Sequence, residues 1–276
     1  MSAQPILIDL EPSWNRRLGP AFISEVPNAK ALKKGVGMLK DFDFTLNPYI
    51  GCAFGCSYCY AAAFVADEEK REDWGKWVEV KTSAAHELRK TDLRNKRVYM
   101  SSATDPYQPV EAHTMLTRSL LEAMLEPFRQ PMLTVQTRSP LVTRDIDLLK
   151  RFDWVQVNMS VTTDCDDIRR AFEPSCPSIE RRLEAVQELK DAGIRTQICL
   201  APLLPLRDAT GFGKRLRELA ADRYVVGAFH DTDRKFAAST RDAGLRTARE
   251  WNWDYRSYRV AVSLLRKELS HLSEWS

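Results

Sequence analysis

The 276-residue chain is 44% hydrophobic and 29% charged, proportions typical of a globular protein that needs no disulfides to form its core. Its net charge is only +3, so charge alone neither requires nor excludes a polyanionic partner. The N-terminal residues lack the basic start and apolar run of a secretory signal, and no stretch reaches the roughly 18–20 apolar residues that span a bilayer. We therefore expect a cytoplasmic protein with no membrane partner, whose six cysteines are ligands, catalysts or buried thiols.

Residues 1–44 show no clear periodicity and are interrupted by four prolines, which predicts an N-terminal extended arm laid over the domain. From Thr45 to about residue 230, short β-type runs alternate with helical patterns. The predicted strands are 97–100, 132–135, 154–159, 194–200 and 224–229, and the predicted helices are 116–125, 144–150, 178–191 and 214–220. This alternation indicates βαβ units with a parallel sheet. About six units are present, too few for an eight-stranded barrel, so we predict an α/β core at 45–230 that forms an open or partial barrel.

The last segment, 231–276, is predicted to be a C-terminal helical extension. Four aromatic residues lie close together there, and an amphipathic pattern follows them; the residues are Trp251, Trp253, Tyr255 and Tyr258, then Val260, Leu264, Leu265 and Leu269. We favour a helix that packs its apolar stripe on the domain. The alternative is an aromatic and basic surface on which nucleic-acid bases stack.

The strongest pattern is C-x3-C-x2-C, formed by Cys52, Cys56 and Cys59. Three thiolates so close in sequence converge on one site only if the segment loops around it, and Gly51 and Gly55 permit the tight turns that this needs. Thiolates select iron–sulfur clusters, zinc or Cu(I). A [4Fe-4S] cluster held by three cysteines leaves one iron free to bind a reacting molecule.

Two other interpretations of these cysteines stay open. Structural zinc normally takes four protein ligands, so a zinc site needs a remote fourth ligand such as Cys165, Cys176 or His86. The three thiols could also be buried and unligated, although their spacing beside two glycines argues against coincidence. Cys165 and Cys176 are not part of a C-x2-C pair, so they do not indicate a second, auxiliary cluster.

The chain resembles the radical S-adenosylmethionine (SAM) superfamily and, within it, the spore photoproduct lyase-like branch. The resemblance covers about residues 40–230 and depends on the cysteine motif, on the segments 47–52 (NPYIGC), 58–60 (YCY) and 104–109 (TDPYQP), and on Glu173-Pro174 with Pro177-Ser178. It implies a partial (β/α)6 TIM-like barrel with the cluster loop after the first strand. That fold agrees with the six units counted independently.

The resemblance also implies the cofactors and the partner. Cys52, Cys56 and Cys59 would hold a [4Fe-4S] cluster whose open iron chelates SAM. A reductase or a flavodoxin- or ferredoxin-type donor would supply the electron that splits SAM into methionine and a 5′-deoxyadenosyl radical. The substrate is unidentified, and nucleic acid is one candidate.

The same resemblance assigns roles to polar and aromatic residues near the predicted strand ends. Tyr58 and Tyr60 would contact the cluster and the adenine and would act as catalytic residues in hydrogen-atom return. Strand ends in parallel α/β folds are where ligands bind. The further SAM-contacting residues are Ser102, Thr104 and Asp105 near the methionine amino group and Ser160 and Thr162 near the ribose and carboxylate. Each of these could instead be a loop cap or a turn residue.

The chain departs from the branch at one position. The branch uses a cysteine hydrogen-atom donor just before the matching aspartate, but here segment 100–105 (MSSATD) contains no thiol. A serine O–H bond is too strong to replace it, which argues against simple photoproduct repair. Cys199 could donate from another wall of the barrel or be a core residue, and His230 could act on substrate or be structural.

Two classes of function follow. The first is a radical SAM enzyme that modifies or repairs a substrate. The second is a non-catalytic zinc or iron–sulfur protein that binds nucleic acid.

Overall fold

Two β-sheets and ten α-helices make up the part of the chain that this computed structural model describes, residues 16–126, 130–229 and 240–274. The strands are β1 (Arg17–Leu18), β2 (Ala21–Glu25), β3 (Leu32–Lys34), β4 (Phe44–Leu46), β5 (Tyr49–Gly51), β6 (Trp77–Val80), β7 (Arg97–Met100), β8 (Met132–Thr137), β9 (Val155–Ser160), β10 (Arg195–Leu200), β11 (Arg223–Val226) and β12 (Leu272–Glu274). The helices are α1 (Glu68–Glu72), α2 (Ala84–Arg89), α3 (Glu111–Thr114), α4 (Leu116–Met124), α5 (Ile146–Leu149), α6 (Asp166–Phe172), α7 (Ile179–Asp191), α8 (Ala209–Leu219), α9 (Asp242–Glu250) and α10 (Tyr255–Glu268).

The larger sheet has eight strands in the order β12-β11-β10-β9-β8-β7-β4-β3. Its six central strands, from β4 to β11, run parallel, with β12 parallel at one edge and β3 antiparallel at the other. Strands β9 and β10 bury most of their residues, polar ones such as Gln156 and Asn158 included, so both faces of these strands are covered. The predicted six-unit parallel core and its open sheet are therefore confirmed.

Most predicted elements agree with the structure to within a residue or two. The strand predicted at 224–229 ends three residues early, at Val226, and two helices also differ. The segment predicted as helix 144–150 contains a 3₁₀ turn, Pro140–Asp145, before the short α5. Ser139 caps that turn by accepting from the Leu141 N–H, and a proline suits its first position. Helix α8 begins five residues before the predicted start, because Asp208 caps it by accepting from the Gly211 N–H.

The described residues of the N-terminal segment pair with both sheets. Strand β2 runs parallel to β6 in a four-stranded sheet of order β1-β2-β6-β5, while β3 joins the edge of the larger sheet. Ala21 and Ile23 are buried in the core. The domain boundaries at 44 and 230 stay predictions, because 1–15 and 230–239 lie outside the described residues.

The C-terminal segment contains the predicted amphipathic helix. Helix α10 packs against α8 so closely that a Cβ on Gly213 would lie 2.9 Å from the Glu268 Cβ. Leu265 and Leu269 are buried, as the stripe predicted. Val260 is 57% exposed, so its assignment to the stripe was wrong; the 3.6-residue period instead buries Ala261.

The aromatic cluster beside this helix divides between core and surface. Tyr258 is buried and the Trp253 Nε1–H donates to the Leu203 carbonyl, whereas Trp251 and Tyr255 are exposed. No helix in the three described ranges is long and apolar enough to cross a bilayer.

Leu265→Ala should lower the free energy of unfolding by about 2–5 kcal/mol, because it leaves a cavity between α10 and the core. Val260→Ala removes two methyl groups from the exposed face of the same helix and should change stability by less than about 0.5 kcal/mol. Anaerobic urea unfolding followed by circular dichroism measures both. Equal effects of the two substitutions would contradict this packing of α10.

Candidate active site at the cysteine loop

The cysteine loop, residues 52–59, follows β4 and the short β5 at the carboxyl end of the first parallel strand. Gly51, the last residue of β5, has φ +78°, and a Cβ there would lie 2.7 Å from the Trp77 carbonyl oxygen. Only glycine accommodates both the left-handed backbone and this close approach. The turn at Gly51 therefore directs the chain from the small sheet into the loop.

Two turns fold the cysteine loop back on itself. The Gly55 N–H donates to the Cys52 carbonyl at 3.2 Å, and the Cys59 N–H donates to the Cys56 carbonyl at 3.1 Å. Gly55 has φ +59°, and a Cβ on Gly75 would lie 2.7 Å from its Cα. These turns fold the loop so that the charges of its cysteines act on one another.

The three thiols are close enough to affect one another's ionisation. Burial raises the pKa of Cys52, and the negative charges of Asp105, Cys56 and Cys59 raise it further. Burial and the charge of Cys56 raise the pKa of Cys59 to about 11. Three thiolates in one buried site repel each other unless a cation neutralises them. The arrangement thus fits a cationic iron–sulfur core.

The sequence offers three remote ligands for a zinc ion. In the described part of the chain, no three His, Cys, Asp or Glu side chains, the motif cysteines included, are grouped to hold a single metal ion. Of the proposed remote ligands, Cys176 contacts Cys56, with 3.6 Å between their sulfur atoms. Cys165 precedes α6 and His86 lies on α2.

A buried carboxylate, Glu173, connects the cysteine loop to the parallel strands. It accepts hydrogen bonds from the Tyr58 hydroxyl, from Thr162 Oγ1 at 2.8 Å, from Arg138 Nη1 at 2.9 Å and from Arg182. Burial raises the pKa of Glu173, but the charges of Arg182 and Arg138 outweigh it and lower the pKa to about 2. The group is therefore a permanent anion held between two arginines.

Arg138 also reaches the cysteine loop directly. Its Nη1 lies 3.1 Å from Cys56 Sγ and 2.7 Å from the Tyr58 hydroxyl oxygen. The hydrogen bond with Cys176 and, against the effect of burial, the charge of Arg138 lower the pKa of Cys56. Of the three cysteines, Cys56 therefore has the environment that most favours the thiolate.

Arg138 and Arg182 also belong to the site, although the sequence patterns did not indicate them. Arg138 directly follows β8. A charged residue directly after a parallel strand is the sequence feature that could have identified it as a site residue. Arg182 occupies a position of the apolar stripe of α7, between Ile179 and Val186, and is fully buried. A charged residue in such a stripe indicates a buried partner, and here the partner is Glu173.

Asp105 has a well-defined structural environment. Its buried carboxylate accepts from the Tyr107 N–H at 2.9 Å, from Thr137 Oγ1 at 2.7 Å and from the Arg138 N–H at 2.9 Å. Both oxygens are thus used to fix the turn after β7 to the end of β8. Its contact with the SAM amino group stays a prediction.

Thr104 and Ser102 lie against the cysteine loop. Thr104 Oγ1 donates to the Gly51 carbonyl at 2.6 Å. Ser102 Oγ accepts from Asn47 Nδ2 at 3.2 Å, and the Ser102 carbonyl accepts from the Tyr60 hydroxyl at 2.5 Å. The structure therefore brings these two residues and Tyr60 together at the end of β7, although it does not test their contact with SAM.

The other predicted residues extend the site along neighbouring strands. Thr162 joins Glu173, as described above. Ser160 Oγ accepts from Gln136 Nε2 at 3.0 Å, and Gln136 Oε1 accepts from the Tyr99 hydroxyl at 3.0 Å and from Cys199 Sγ at 3.7 Å. Cys199 is therefore part of a polar layer inside the sheet rather than of an apolar core alone. His230 lies outside the described residues.

The C-terminal segment completes one side of the loop. The Gly244 N–H, in α9, donates to the Ser57 carbonyl at 3.1 Å, and a Cβ on Gly244 would lie 2.7 Å from the Tyr58 Cα. Helix α9 thus packs directly on the cysteine loop, a contact that the sequence pattern did not indicate.

Comparisons with known proteins agree with this architecture. The model of the radical SAM superfamily matches residues 46–208. An uncharacterized protein of Methanocaldococcus jannaschii is 33% identical over 162 residues, which cover 59% of this chain and 61% of the relative. A radical SAM Nalpha-GlyT isomerase of Pseudomonas phage M6 is 26% identical over 65% of this chain and 40% of the relative. The chain spans about 60% of the length of the first curated relatives that it matches.

Solved structures show the same fold. A spore photoproduct lyase mutant with bound AdoMet and dinucleoside spore photoproduct superposes with a TM-score of 0.58 at 14% identity, over 92% of this chain and 82% of that one. Streptococcus suis SuiB bound to S-adenosylmethionine gives a TM-score of 0.51 at 14% identity, over 83% of this chain and 49% of that one. These similarities confirm the predicted partial barrel.

Glu173→Gln should lower the free energy of unfolding by about 3–5 kcal/mol, because it leaves two buried arginines without their anion. Since the folded pKa of about 2 lies below the ordinary 4.5, the charge contributes stability above about pH 4.5 that is lost as pH falls towards 2. Urea unfolding between pH 7 and 3 measures the free energy of unfolding at each pH. In the Glu173→Gln variant, the loss of stability below about pH 4.5 that is due to Glu173 should be missing. Glu184→Gln, at an exposed position of α7, is the control. Equal losses of stability in the two variants would contradict the role of Glu173 as the buried anion between the arginines.

Proposed function

Because this chain belongs to the radical SAM superfamily, we propose that Cys52, Cys56 and Cys59 hold a [4Fe-4S] cluster with which the enzyme cleaves SAM reductively. The observation that supports this most directly is the buried loop that gathers three thiols beside one arginine. When bound, the cluster and SAM supply a 5′-deoxyadenosyl radical. The remaining tasks, which are binding, orientation and exclusion of water, belong to the protein.

The cysteine loop is built to hold its shape before any cofactor binds. Gly51 and Gly55 fix its turns, Thr104 ties it to the end of β7, and Glu173 holds Tyr58 in the interior. A site whose groups are fixed in advance loses little energy in reorganisation when charge changes within it.

We assign SAM binding to the strand ends that surround the loop. The polar groups of Ser102, Thr104 and Asp105 follow β7, and Ser160 and Thr162 lie at the end of β9. The carboxyl ends of parallel strands are the usual ligand position in such folds. The strands would thus hold SAM on the side of the loop that faces the barrel.

Tyr58 and Tyr60 have different environments, which supports different roles. Tyr58 is buried and bonded to Glu173, so it would orient the cluster and adenine. Tyr60 is 40% exposed, and its hydroxyl donates to the Ser102 carbonyl, so it lies where a substrate could approach.

Alanine at any one of the three motif cysteines should abolish both the cluster and SAM cleavage. Anaerobic purification, iron and sulfide assays, absorbance near 400 nm and 5′-deoxyadenosine formation after reduction measure the two effects. Cys165→Ala is the matched control, since this cysteine lies outside the loop, and it should keep iron and activity. Stoichiometric zinc in place of iron in the unaltered protein would overturn the cluster and favour the non-catalytic alternative.

We further propose that the substrate is a nucleic acid. The fold matches a structure that contains a dinucleoside spore photoproduct, and the phage relative bears the name of an Nalpha-GlyT isomerase. The chain's own basic side chains outnumber its acidic ones by three, which permits contact with phosphates without requiring it. A reductase or a flavodoxin- or ferredoxin-type protein would supply the electron.

The substrate proposal is tested by incubating the reduced, iron-loaded enzyme and SAM with DNA and RNA oligonucleotides, with and without irradiation. We expect one set to yield nucleosides of altered mass or retention, together with 5′-deoxyadenosine, and the Cys56→Ala variant to yield neither. Chromatography and mass spectrometry of the digested oligonucleotides measure this. Vigorous SAM cleavage with every nucleoside unchanged would reject nucleic acid as the substrate.

A further inference from the structure

A fourth cysteine touches the cysteine loop. Cys176 Sγ lies 3.6 Å from Cys56 Sγ, although the two residues are 120 positions apart in sequence. Cys176 is 6% exposed, and its backbone is fixed in the turn before α7: its N–H donates to the Glu173 carbonyl at 3.1 Å, and its carbonyl accepts from Arg169 Nη1 at 2.7 Å. The contact between the two sulfurs is therefore part of the folded framework.

We propose that Cys176 is a positioning residue that sets the reduction potential of the cluster by donating an S–H···S hydrogen bond to the Cys56 thiolate. This inference depends on the proposed function, because it needs Cys56 to be a cluster ligand. The second donor to the same sulfur is Arg138 Nη1, at 3.1 Å. Together the two donors give the Cys56 sulfur a polar environment.

The direction of the hydrogen bond follows from the chemistry of a ligand. A cysteine bound to iron is a thiolate and can only accept, whereas a free thiol keeps its proton near neutral pH. Cys176 must then be the donor. Two side chains, those of Arg138 and Cys176, thus act as donors to the Cys56 sulfur.

The effect on the cluster has a definite sign. One-electron reduction adds negative charge to the cluster, and part of that charge resides on the ligand sulfurs. Hydrogen bonds to those sulfurs stabilise the reduced state more than the oxidised state, which raises the potential. Cys176 and Arg138 would therefore make the cluster easier to reduce by a protein donor.

Cys176 also lines a cavity of about 600 Å³ on the outer side of the loop, together with Phe54 and Ser139. The cavity gives the S–H group a route for exchange with solvent deuterium. The proton of Cys176 should then be visible as an exchangeable proton close to the cluster, which provides a readout independent of the potential.

The test is an anaerobic redox titration of the iron-loaded protein without SAM, followed by electron paramagnetic resonance of the reduced cluster. In Cys176→Ala the ratio of reduced to oxidised cluster at a fixed potential should fall about tenfold, a shift of about 59 mV for one electron. Cys176→Ser keeps an O–H donor and should restore most of the shift. Cys165→Ala, a cysteine without this contact, should leave the potential unchanged.

Electron–nuclear double resonance in deuterated buffer supplies the second measurement, in which Cys176→Ala should lose one exchangeable proton coupling. An unchanged potential in a fully loaded Cys176→Ala protein would overturn the proposal. Loss of iron from both Cys176→Ala and Cys176→Ser would also overturn it, since the residue would then hold the loop rather than tune the cluster. If instead the proposed function is wrong, the unaltered protein itself will bind no cluster or will not cleave SAM. The two failures are therefore distinguishable.

Discussion

The buried charge of Glu173 is the interaction on which the site depends. A carboxylate with no exposure to water is stable only if several donors neutralise it. Arg138 comes from the end of β8, Arg182 from α7 and Thr162 from the end of β9, and all three meet at this group. One anion therefore fixes the relative positions of two strand ends and a helix.

The same network extends into the cysteine loop. Tyr58 donates to Glu173, and Arg138 contacts both the Tyr58 hydroxyl and the sulfur of Cys56. A displacement of the carboxylate would therefore be transmitted to the loop through hydrogen bonds rather than through soft apolar contacts. If the loop holds the proposed cluster, this coupling would keep it rigid while the charge within it changes, because preorganised polar groups need little rearrangement.

One layer in the interior of the parallel sheet consists of polar side chains, which is unusual because such sheets are mostly apolar inside. Gln136 bonds to Tyr99, Ser160 and Cys199, so one layer of the sheet interior is polar and satisfied by its own members. Polar layers of this kind specify the orientation of each side chain more strictly than an apolar core does. The fold alone does not define the reaction, because one fold supports many chemistries and the side chains of the site decide among them.

Much of the architecture followed from the sequence. The alternation of β-type and helical runs predicted six parallel units, because the two periods of apolar residues depend only on local geometry. The spacing of Cys52, Cys56 and Cys59 predicted a shared site for the same reason, since all three lie within one short loop. Val260 shows the limit of this reasoning, because an apolar residue near a stripe can point to solvent when the helix register differs slightly.

The sequence by itself thus determined the fold class, the cysteine loop and the strand ends that surround it. Only the tertiary structure decided which distant residues complete the site: Glu173 between two arginines, Cys176 against Cys56 and Gly244 against Tyr58. The physical reason is the distance along the chain over which each kind of interaction acts. Periodicity and motif spacing report on neighbours along the chain, whereas buried charges and sulfur contacts join residues that the fold alone brings together.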